Sequence, residues 1–133
     1  MYKNINLKQI QTLWRKKMIK IETANGIIAY SENALANIIG INILEMPGVK
    51  GLAAKNAVDG LWGLLQRDNY TKGIELQDEN NELLISIAIV ASYGTKISEV
   101  AKSIMTTIKY NIENLTDIPV KSITVTVQQV VLD

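Results

Sequence analysis

The segment Ile74-Glu-Leu-Gln-Asp-Glu-Asn-Asn-Glu-Leu-Leu-Ile-Ser-Ile-Ala-Ile-Val-Ala91 contains the clearest folding signal in the chain. Asn80-Asn81 suits a two-residue hairpin turn, because Asn tolerates the positive φ that such a turn requires. With this turn Glu79 faces Glu82, a mildly repulsive pair that needs solvent around it. Residues 85–91 are apolar on both faces, which predicts a central strand. The same register brings apolar residues together on one face, pairing Leu76 with Ile85 and Ile74 with Ile87.

The residues before this hairpin predict a strand or hairpin followed by a helix. Alternating apolar residues surround the turn signal Asn25-Gly26, which favours a first strand or hairpin. Ser31 is a suitable helix N-cap, and Pro47-Gly48 is a stop signal. Between them lies an apolar stripe at helical spacing, broad enough to predict a mostly buried helix. The stripe comprises Leu35, Ile38, Ile39, Ile41, Ile43, Leu44 and Met46.

Two weaker elements follow this helix. Residues 49–55 predict a short strand, and residues 57–66 have apolar side chains at helical spacing. Gly60 and Gly63 each cost about 1 kcal/mol in a helix interior. The second of these elements is therefore expected to be a short or loose helix.

After the central strand, Gly94 is expected to turn the chain and Thr95 to cap a second long helix, which ends before Pro119. Its apolar stripe comprises Ile97, Val100, Ala101, Ile104, Ile108, Ile112 and Leu115. Residues 120–132 alternate apolar and polar side chains, which predicts a half-buried strand. The order is β-α-β-(α)-β-β-α-β. It predicts an α+β two-layer sandwich, with two long helices on one face of a mixed or antiparallel sheet.

The composition excludes several classes of function. The 133 residues include no Cys and no His, which removes disulfides, thiolate nucleophiles, zinc–thiolate sites and the commonest general base. No G-x-S-x-G elbow or S-x-x-K pair occurs. We therefore expect a non-enzymatic protein without catalytic, cofactor-binding or metal-binding residues. Because no apolar run approaches the roughly 20 residues that span a bilayer, we expect a cytoplasmic protein.

Charge divides the chain into a basic N-terminal segment and a mildly acidic remainder. Residues 1–20 carry six basic and no acidic side chains, which leaves eight basic and thirteen acidic side chains in residues 21–133. An acidic body argues against a face that binds a phosphate backbone, since such faces depend on Lys and Arg. No nucleic-acid partner is expected.

Two interpretations of residues 1–17 are open. Leu7, Ile10 and Trp14 lie at helical spacing among basic residues, which is typical of a segment that binds an anionic membrane surface. Alternatively, the codons before Met18 can contain a ribosome-binding sequence, in which case Met18 is the natural start and residues 1–17 are an upstream leader. We therefore separate a basic extension, residues 1–17, from a single α+β domain, residues 18–133.

Three short motifs have a structural explanation beside a functional one. Asp78, Asn80 and Glu82 have the spacing of calcium ligands, but the loop lacks the Gly of an EF-hand, so a solvated hairpin tip explains them better. Gly48-Val49-Lys50-Gly51 matches the G-x-x-G of KH-type RNA-binding modules, yet it enters a strand-like segment. Tyr93-Gly94-Thr95-Lys96 offers backbone N–H groups to an anion, although a strand-to-helix turn explains this motif better.

Five stretches together resemble the alkaline-shock protein family of Gram-positive bacteria, also called the Gls-type envelope stress response family. The block Ser-Tyr-Gly-Thr-Lys-Ile-Ser-Glu-Val-Ala within the fourth stretch is the most specific. The stretches are Gly26-Ile-Ile-Ala-Tyr-Ser31, Met46-Pro-Gly-Val-Lys-Gly-Leu-Ala-Ala-Lys-Asn56, Arg67-Asp-Asn-Tyr-Thr-Lys-Gly73, Ile89-Val-Ala-Ser-Tyr-Gly-Thr-Lys-Ile-Ser-Glu-Val-Ala101 and Val120-Lys-Ser-Ile-Thr-Val-Thr-Val127.

The chain is most similar to the short, stand-alone subgroup of this family, which is often encoded beside a fatty-acid-kinase (dihydroxyacetone-kinase-like) protein. Larger relatives are abundant cytoplasmic proteins held at the membrane by a separate integral partner. The resemblance therefore implies a small scaffold or adaptor in envelope homeostasis, and it supplies no catalytic residues. One departure is Gln128-Gln129-Val130, where relatives often carry a Gly in the last strand.

We expect the partner to be a membrane anchor or a fatty-acid-kinase-like protein, and we expect a location in the cytoplasm or at the inner face of the cell membrane. Self-association is a further expectation. The alternatives are peripheral membrane binding through residues 1–17 and a KH-like RNA-binding module. Tyr and Arg are favoured interface anchors, although they are also ordinary surface residues. On this ground the expected partner-binding residues are Arg67, Tyr70, Lys72, Tyr93 and Lys96.

Overall fold

The fold was examined in a computed structural model that describes residues 18–54, 70 and 72–132. The helix predicted over residues 57–66 and the basic extension lie outside the described residues. The elements are β1 (Met18–Thr23), β2 (Gly26–Ser31), α1 (Glu32–Leu44), β3 (Val49–Leu52), β4 (Ile74–Glu79), β5 (Glu82–Ser92), α2 (Ile97–Thr116) and β6 (Val120–Val131).

Strand β5 is the centre of a four-stranded mixed sheet. On one edge it pairs antiparallel with β4 and then with β3, which follow each other end to end. The change of partner from β4 to β3 falls at Ala88. Its N–H donates to Gly73 O and its carbonyl accepts from Ala53 N, each at 2.9 Å. On the other edge β5 pairs with β6 in parallel, an arrangement that α2 makes possible as the crossover. The predicted α+β fold class and the predicted central strand are confirmed.

The β4–β5 hairpin has the predicted register at every pair, from Ile74 opposite Ile87 to Glu79 opposite Glu82. Asn80 and Asn81 have φ values of 52° and 64°, as the predicted two-residue turn requires. The repulsion between the two glutamates is offset by Lys121 on β6, whose Nζ lies 3.0 Å from Glu79 Oε1. The hydrogen bond and the charge of Glu79 raise the pKa of Lys121.

Strands β1 and β2 form the first hairpin as a separate two-stranded sheet. The predicted turn is wrong by one residue, because Thr23 faces Gly26 and the turn residues are Ala24 and Asn25. The Thr23 hydroxyl explains the shift, since it accepts from Asn25 N at 3.3 Å and donates to Gly26 O at 2.8 Å. Ile19 and Ile21 are buried in the core, and this packing holds the hairpin against the rest of the domain.

Helix α1 begins and ends as the sequence predicts. The Ser31 side chain accepts from Ala34 N at 3.0 Å, and the helix stops two residues before Met46-Pro47-Gly48. The expectation that the helix is mostly buried is wrong on one side, because Ile41 and Leu44 are 44% and 41% exposed. Ile41 lies opposite the buried positions around the helix axis and Leu44 lies beside them, so the apolar stripe is wider than the surface it covers.

Helix α2 differs from the prediction at both ends. Thr95 does not cap it; the N-cap position is Lys96, which makes no side-chain capping bond, and the Thr95 hydroxyl donates to Ser92 O instead. Leu115 is 65% exposed rather than part of the core. Thr116 is buried in its place, with its hydroxyl donating to Ile112 O and accepting from Ile118 N. These two hydrogen bonds let a polar residue occupy the last core position.

The main core lies between the two helices and one face of the sheet. It contains the alternate residues of β5 that face the helices, together with the buried positions of α1 and α2. The opposite face of β5 has a smaller buried group of Ala53, Ala88 and Val90. Strand β6 is half-buried as predicted, and it accommodates Gln128 as an extra residue where its register with β5 shifts. Both helices therefore cover the same face, as expected.

Candidate partner-binding surface

The structure separates the five residues predicted to bind a partner. Tyr93, Lys72 and Lys96 are exposed, and Arg67 lies outside the described residues. Tyr70 is only 3% exposed, so the expectation that it belongs to an exposed aromatic surface is wrong. Partner binding by the exposed members of this set stays a prediction.

Tyr70 is buried because its ring lies against the backbone of α1 at Gly40. A Cβ atom at position 40 would lie 2.6 Å from Tyr70 Cε2 and 2.8 Å from Cγ, so only glycine leaves room for the ring. Tyr70 is therefore part of the core cluster rather than a surface anchor. The contact joins residues 30 positions apart in the chain, which is why sequence inspection did not reveal it.

Tyr93 and Leu132 form an exposed pair at one end of the sheet. Because β5 and β6 are parallel, their carboxyl ends meet there, and Tyr93 N donates to Val131 O at 2.8 Å. Tyr93 is 72% exposed and Leu132 is 78% exposed. We call Tyr93, Leu132 and the nearby Lys96 the end surface. Leu132 was missed in the sequence because it appeared only as the last residue of an alternating strand.

The loop that carries Tyr93 is held by specific contacts. Gly94 has a φ of 97°, a value that residues with a side chain rarely adopt. This backbone conformation confirms the predicted turn. The Thr95 hydroxyl donates to Ser92 O at 2.7 Å, and Gly48 approaches Thr95 and Val100 closely. The end surface is therefore presented on an ordered frame. The anion-binding alternative loses support, because Glu99 places a carboxylate in the first turn of α2, 3.9 Å from Lys96 Nζ.

The other two motifs also have structural roles. Gly48-Val49-Lys50-Gly51 runs into β3, which pairs with β5, so it does not join two helices as a KH loop does. At the hairpin tip, the Asp78 side chain accepts from Lys20 N and the Asn81 side chain from Glu22 N. Within residues 18–54, 70 and 72–132, no group of three acidic side chains is placed to hold a metal ion.

A charged pair on α2 fixes the start of β6. The Glu113 carboxylate accepts from Val120 N at 2.9 Å and from Lys109 Nζ at 3.2 Å, while Lys109 Nζ also donates to Val120 O at 3.2 Å. We call Lys109 and Glu113 the Val120 clamp. The hydrogen bond from Val120, and then the bond and charge of Lys109, hold the pKa of Glu113 below its ordinary value of 4.5.

We expect Glu113→Gln to lower the free energy of unfolding at neutral pH, because the clamp loses its negative charge. A carboxyl with a lowered pKa in the folded chain adds stability above its ordinary pKa of 4.5 and loses it as the pH falls through the folded value. The difference between wild type and E113Q should therefore shrink as the pH falls below 4.5. Urea denaturation across this range measures it.

Glu99→Gln is the matched control for this change. Glu99 is 58% exposed and lies 3.9 Å and 4.0 Å from two lysines on the same helix, so its loss should change stability little at neutral pH. A difference between wild type and E113Q that stays constant from neutral to acidic pH would contradict the assignment.

Comparison with known proteins identifies the family. Residues 20–132 match the model of the alkaline shock protein family, which is described as having a cell envelope-related function. The chain belongs to this family. Two relatives are each 34% identical to it over 113 residues, or 84% of the chain: uncharacterized protein Spy1614 of Streptococcus pyogenes and uncharacterized protein YloU of Bacillus subtilis. The match covers 93% and 94% of these relatives, respectively.

A more distant relative is uncharacterized protein Spy1535 of Streptococcus pyogenes, 26% identical over 109 residues, with 81% of each chain covered. No solved structure matches the chain. The family to which the chain belongs has a cell envelope-related function. Neither α1 nor α2, the helices of the described residues, has both the length and the apolar character needed to cross a membrane.

Proposed function

We propose that this chain is a non-enzymatic scaffold or adaptor in cell-envelope homeostasis, acting in the cytoplasm through protein–protein contacts. The observation that carries the proposal is the end surface. Tyr93 and Leu132 hold a large aromatic and a large aliphatic side chain in solvent, on a loop and strand end tied by a backbone hydrogen bond. Tyrosine is one of the residue types that dominate binding energy at protein interfaces, and the exposed Leu132 adds apolar surface beside it.

The polar side chains support a binding role rather than catalysis. Within the part of the chain that the structure describes, every buried side-chain N or O atom has a hydrogen-bond partner. The carboxylates of Asp78, Glu113 and Glu79 are engaged with backbone N–H groups or lysines that hold the fold together. The lowered pKa of Glu113 arises from the Val120 clamp, not from a cleft beside a reacting group. These carboxylates serve structural contacts instead.

The expected partner is a membrane anchor or a fatty-acid-kinase-like protein, and the test is retention of either one by the purified full-length chain. Tyr93→Ser with Leu132→Ser should weaken retention by about tenfold or more, because loss of an interface anchor costs on the order of 1–2 kcal/mol or more. The matched control is Tyr110→Ser with Leu115→Ser. These residues are 67% and 65% exposed on α2, about 20 Å or more along the helix from Lys96.

The control variant should bind like wild type. A chain without residues 1–17 keeps the end surface and should also bind, whereas the membrane-surface alternative requires that segment. Failure of wild type to retain either partner would contradict the adaptor proposal. Equal weakening in the two double variants would contradict the end surface as the contact.

A further inference from the structure

Strand β6 is a long strand at the edge of the sheet. It has 12 residues, no Pro or Gly, and one charged residue, Lys121. Among the described residues, β5 is its only paired neighbour. Proteins usually protect such an edge with charges, Pro or a covering segment, because its unpaired N–H and C=O groups can pair with another chain.

On the opposite edge of the same sheet, β4 is covered. Lys20 N and Glu22 N on β1 donate to the Asp78 and Asn81 side chains at 3.3 Å and 3.2 Å, so the first hairpin lies beside β4. Leu76 N on β4 donates to Glu32 Oε2 at 3.4 Å. The contrast between the two edges indicates that β6, rather than β4, is available for pairing.

The Val120 clamp closes the edge of β6 at its first residue, where Glu113 and Lys109 bind the N–H and C=O of Val120. Beyond it the register with β5 shifts twice, once before Ser122 and once after Val127. Between the shifts, Ser122–Val127 pairs without interruption with residues 84–89. Along this stretch exposed Ser or Thr alternates with half-buried Ile or Val. This is the regular side-chain alternation of a strand with two different faces.

We propose that β6 pairs antiparallel with β6 of a second copy of this chain, with Val125 on the two-fold axis. In an antiparallel pair, opposite residues lie on the same face of the sheet. With Val125 opposite its own copy, Thr124 faces Thr126 of the second copy on the face opposite the helices, and Ile123 faces Val127 on the helix face. Thr–Thr pairs are among the favourable cross-strand combinations. A two-fold contact must be self-complementary, and this register is.

The position of the charged residue of β6 is compatible with the same register. Lys121 is the only charged residue of β6, and its Nζ is already paired with Glu79 at 3.0 Å. In the proposed register it lies opposite Gln129 of the second copy, so no like charges meet. A register centred four residues earlier would place the two copies of Lys121 opposite each other and is disfavoured.

Helix α2 supplies an apolar contact beside the strand. Met105 is 38% exposed and lies one helical turn before Lys109, on the side of α2 that contacts Val120. The two-fold axis brings this side of α2 near its copy. The assembly joins two four-stranded sheets into one continuous sheet with all the long helices on one face. It does not depend on the end surface or on any envelope partner.

The test is the molar mass of the full chain in solution, measured by sedimentation equilibrium. Wild type should approach twice the chain mass of 14.7 kDa, with a dissociation constant on the order of 10 µM or tighter. Thr124→Lys with Thr126→Lys sets lysines opposite lysines and should weaken the dimer at least about tenfold. Thr124→Lys with Thr126→Glu sets each lysine opposite a glutamate of the second copy and should restore it.

Asn33→Lys with Asn37→Lys adds the same charge on the exposed side of α1 and should leave the dimer unchanged. Thermal denaturation confirms that each variant is folded, which the exposure of Thr124 and Thr126 favours. A wild-type chain that is monomeric at about 100 µM would overturn the proposal. So would a T124K/T126K chain with wild-type affinity, and failure of T124K/T126E to restore the dimer would overturn the register.

Discussion

Replacing Ile39 with Ala should lower the free energy of unfolding by about 3–4 kcal/mol, which is within the range for large-to-small changes in a core. Ile39 is fully buried in the middle of α1, inside the cluster that joins both helices to the sheet. The loss combines the transfer free energy of the removed methyl groups with the cavity that a close-packed core leaves behind. Urea denaturation, with the slope checked for two-state behaviour, measures it.

Ile41→Ala is the matched control, since it makes the same chemical change two residues away in the same helix. Ile41 is 44% exposed, so its replacement should change stability by less than about 0.5 kcal/mol. Ala also favours a helix slightly more than Ile does, which acts in the opposite direction to any lost contact. Equal losses in the two variants would mean that both sides of α1 are covered, contrary to the structure.

Gly40→Ala should destabilise the protein by about 1–3 kcal/mol, the usual cost of overpacking. In an unobstructed helix interior the same change stabilises the protein by about 1 kcal/mol. A loss of stability would therefore indicate by itself that position 40 is overpacked. The added Cβ would meet the Tyr70 ring at 2.6 Å and 2.8 Å, and neither the ring nor the helix backbone can move freely.

A double-mutant cycle isolates this contact. Tyr70→Ala alone should cost about 3 kcal/mol through the cavity it leaves. In that background Gly40→Ala meets no ring and should be neutral or stabilising, which gives a coupling energy of at least about 1 kcal/mol. Denaturation of the four chains measures the coupling. A Gly40→Ala cost that is the same with and without the Tyr70 ring would show that some other neighbour limits position 40.

The features predicted correctly from the sequence depend on local signals. The Asn80-Asn81 turn fixed the whole β4–β5 register, because a two-residue turn leaves one way to pair the flanking strands. Ser31 and Pro47-Gly48 bounded α1 for a similar reason, since caps and stops act within one turn of helix. The first turn was displaced because the Thr23 hydroxyl, rather than the Asn25-Gly26 pair alone, decides where the chain reverses.

The features that were missed depend on contacts between distant residues. Tyr70 looked exposed because its neighbours Arg67 and Lys72 are polar, and only the packing against Gly40 buries it. Leu115 continues the apolar stripe of α2, yet at the helix end the buried position belongs to Thr116. The direction of β6 was left open between antiparallel and mixed sheets, because an alternating strand pattern is the same in both. Tyr93 and Leu132 meet only because that direction is parallel.

The division of one edge of β5 between β3 and β4 gives the sheet two units of cooperativity. Ala88 belongs to both units, because its N–H bonds to the residue before β4 and its carbonyl to the residue after β3. The four-residue β3 pairs with β5 separately from β4, so we expect its amide protons to exchange with solvent faster than those of the longer ladder. We expect the buried amides of the six-pair β4–β5 ladder to exchange more slowly.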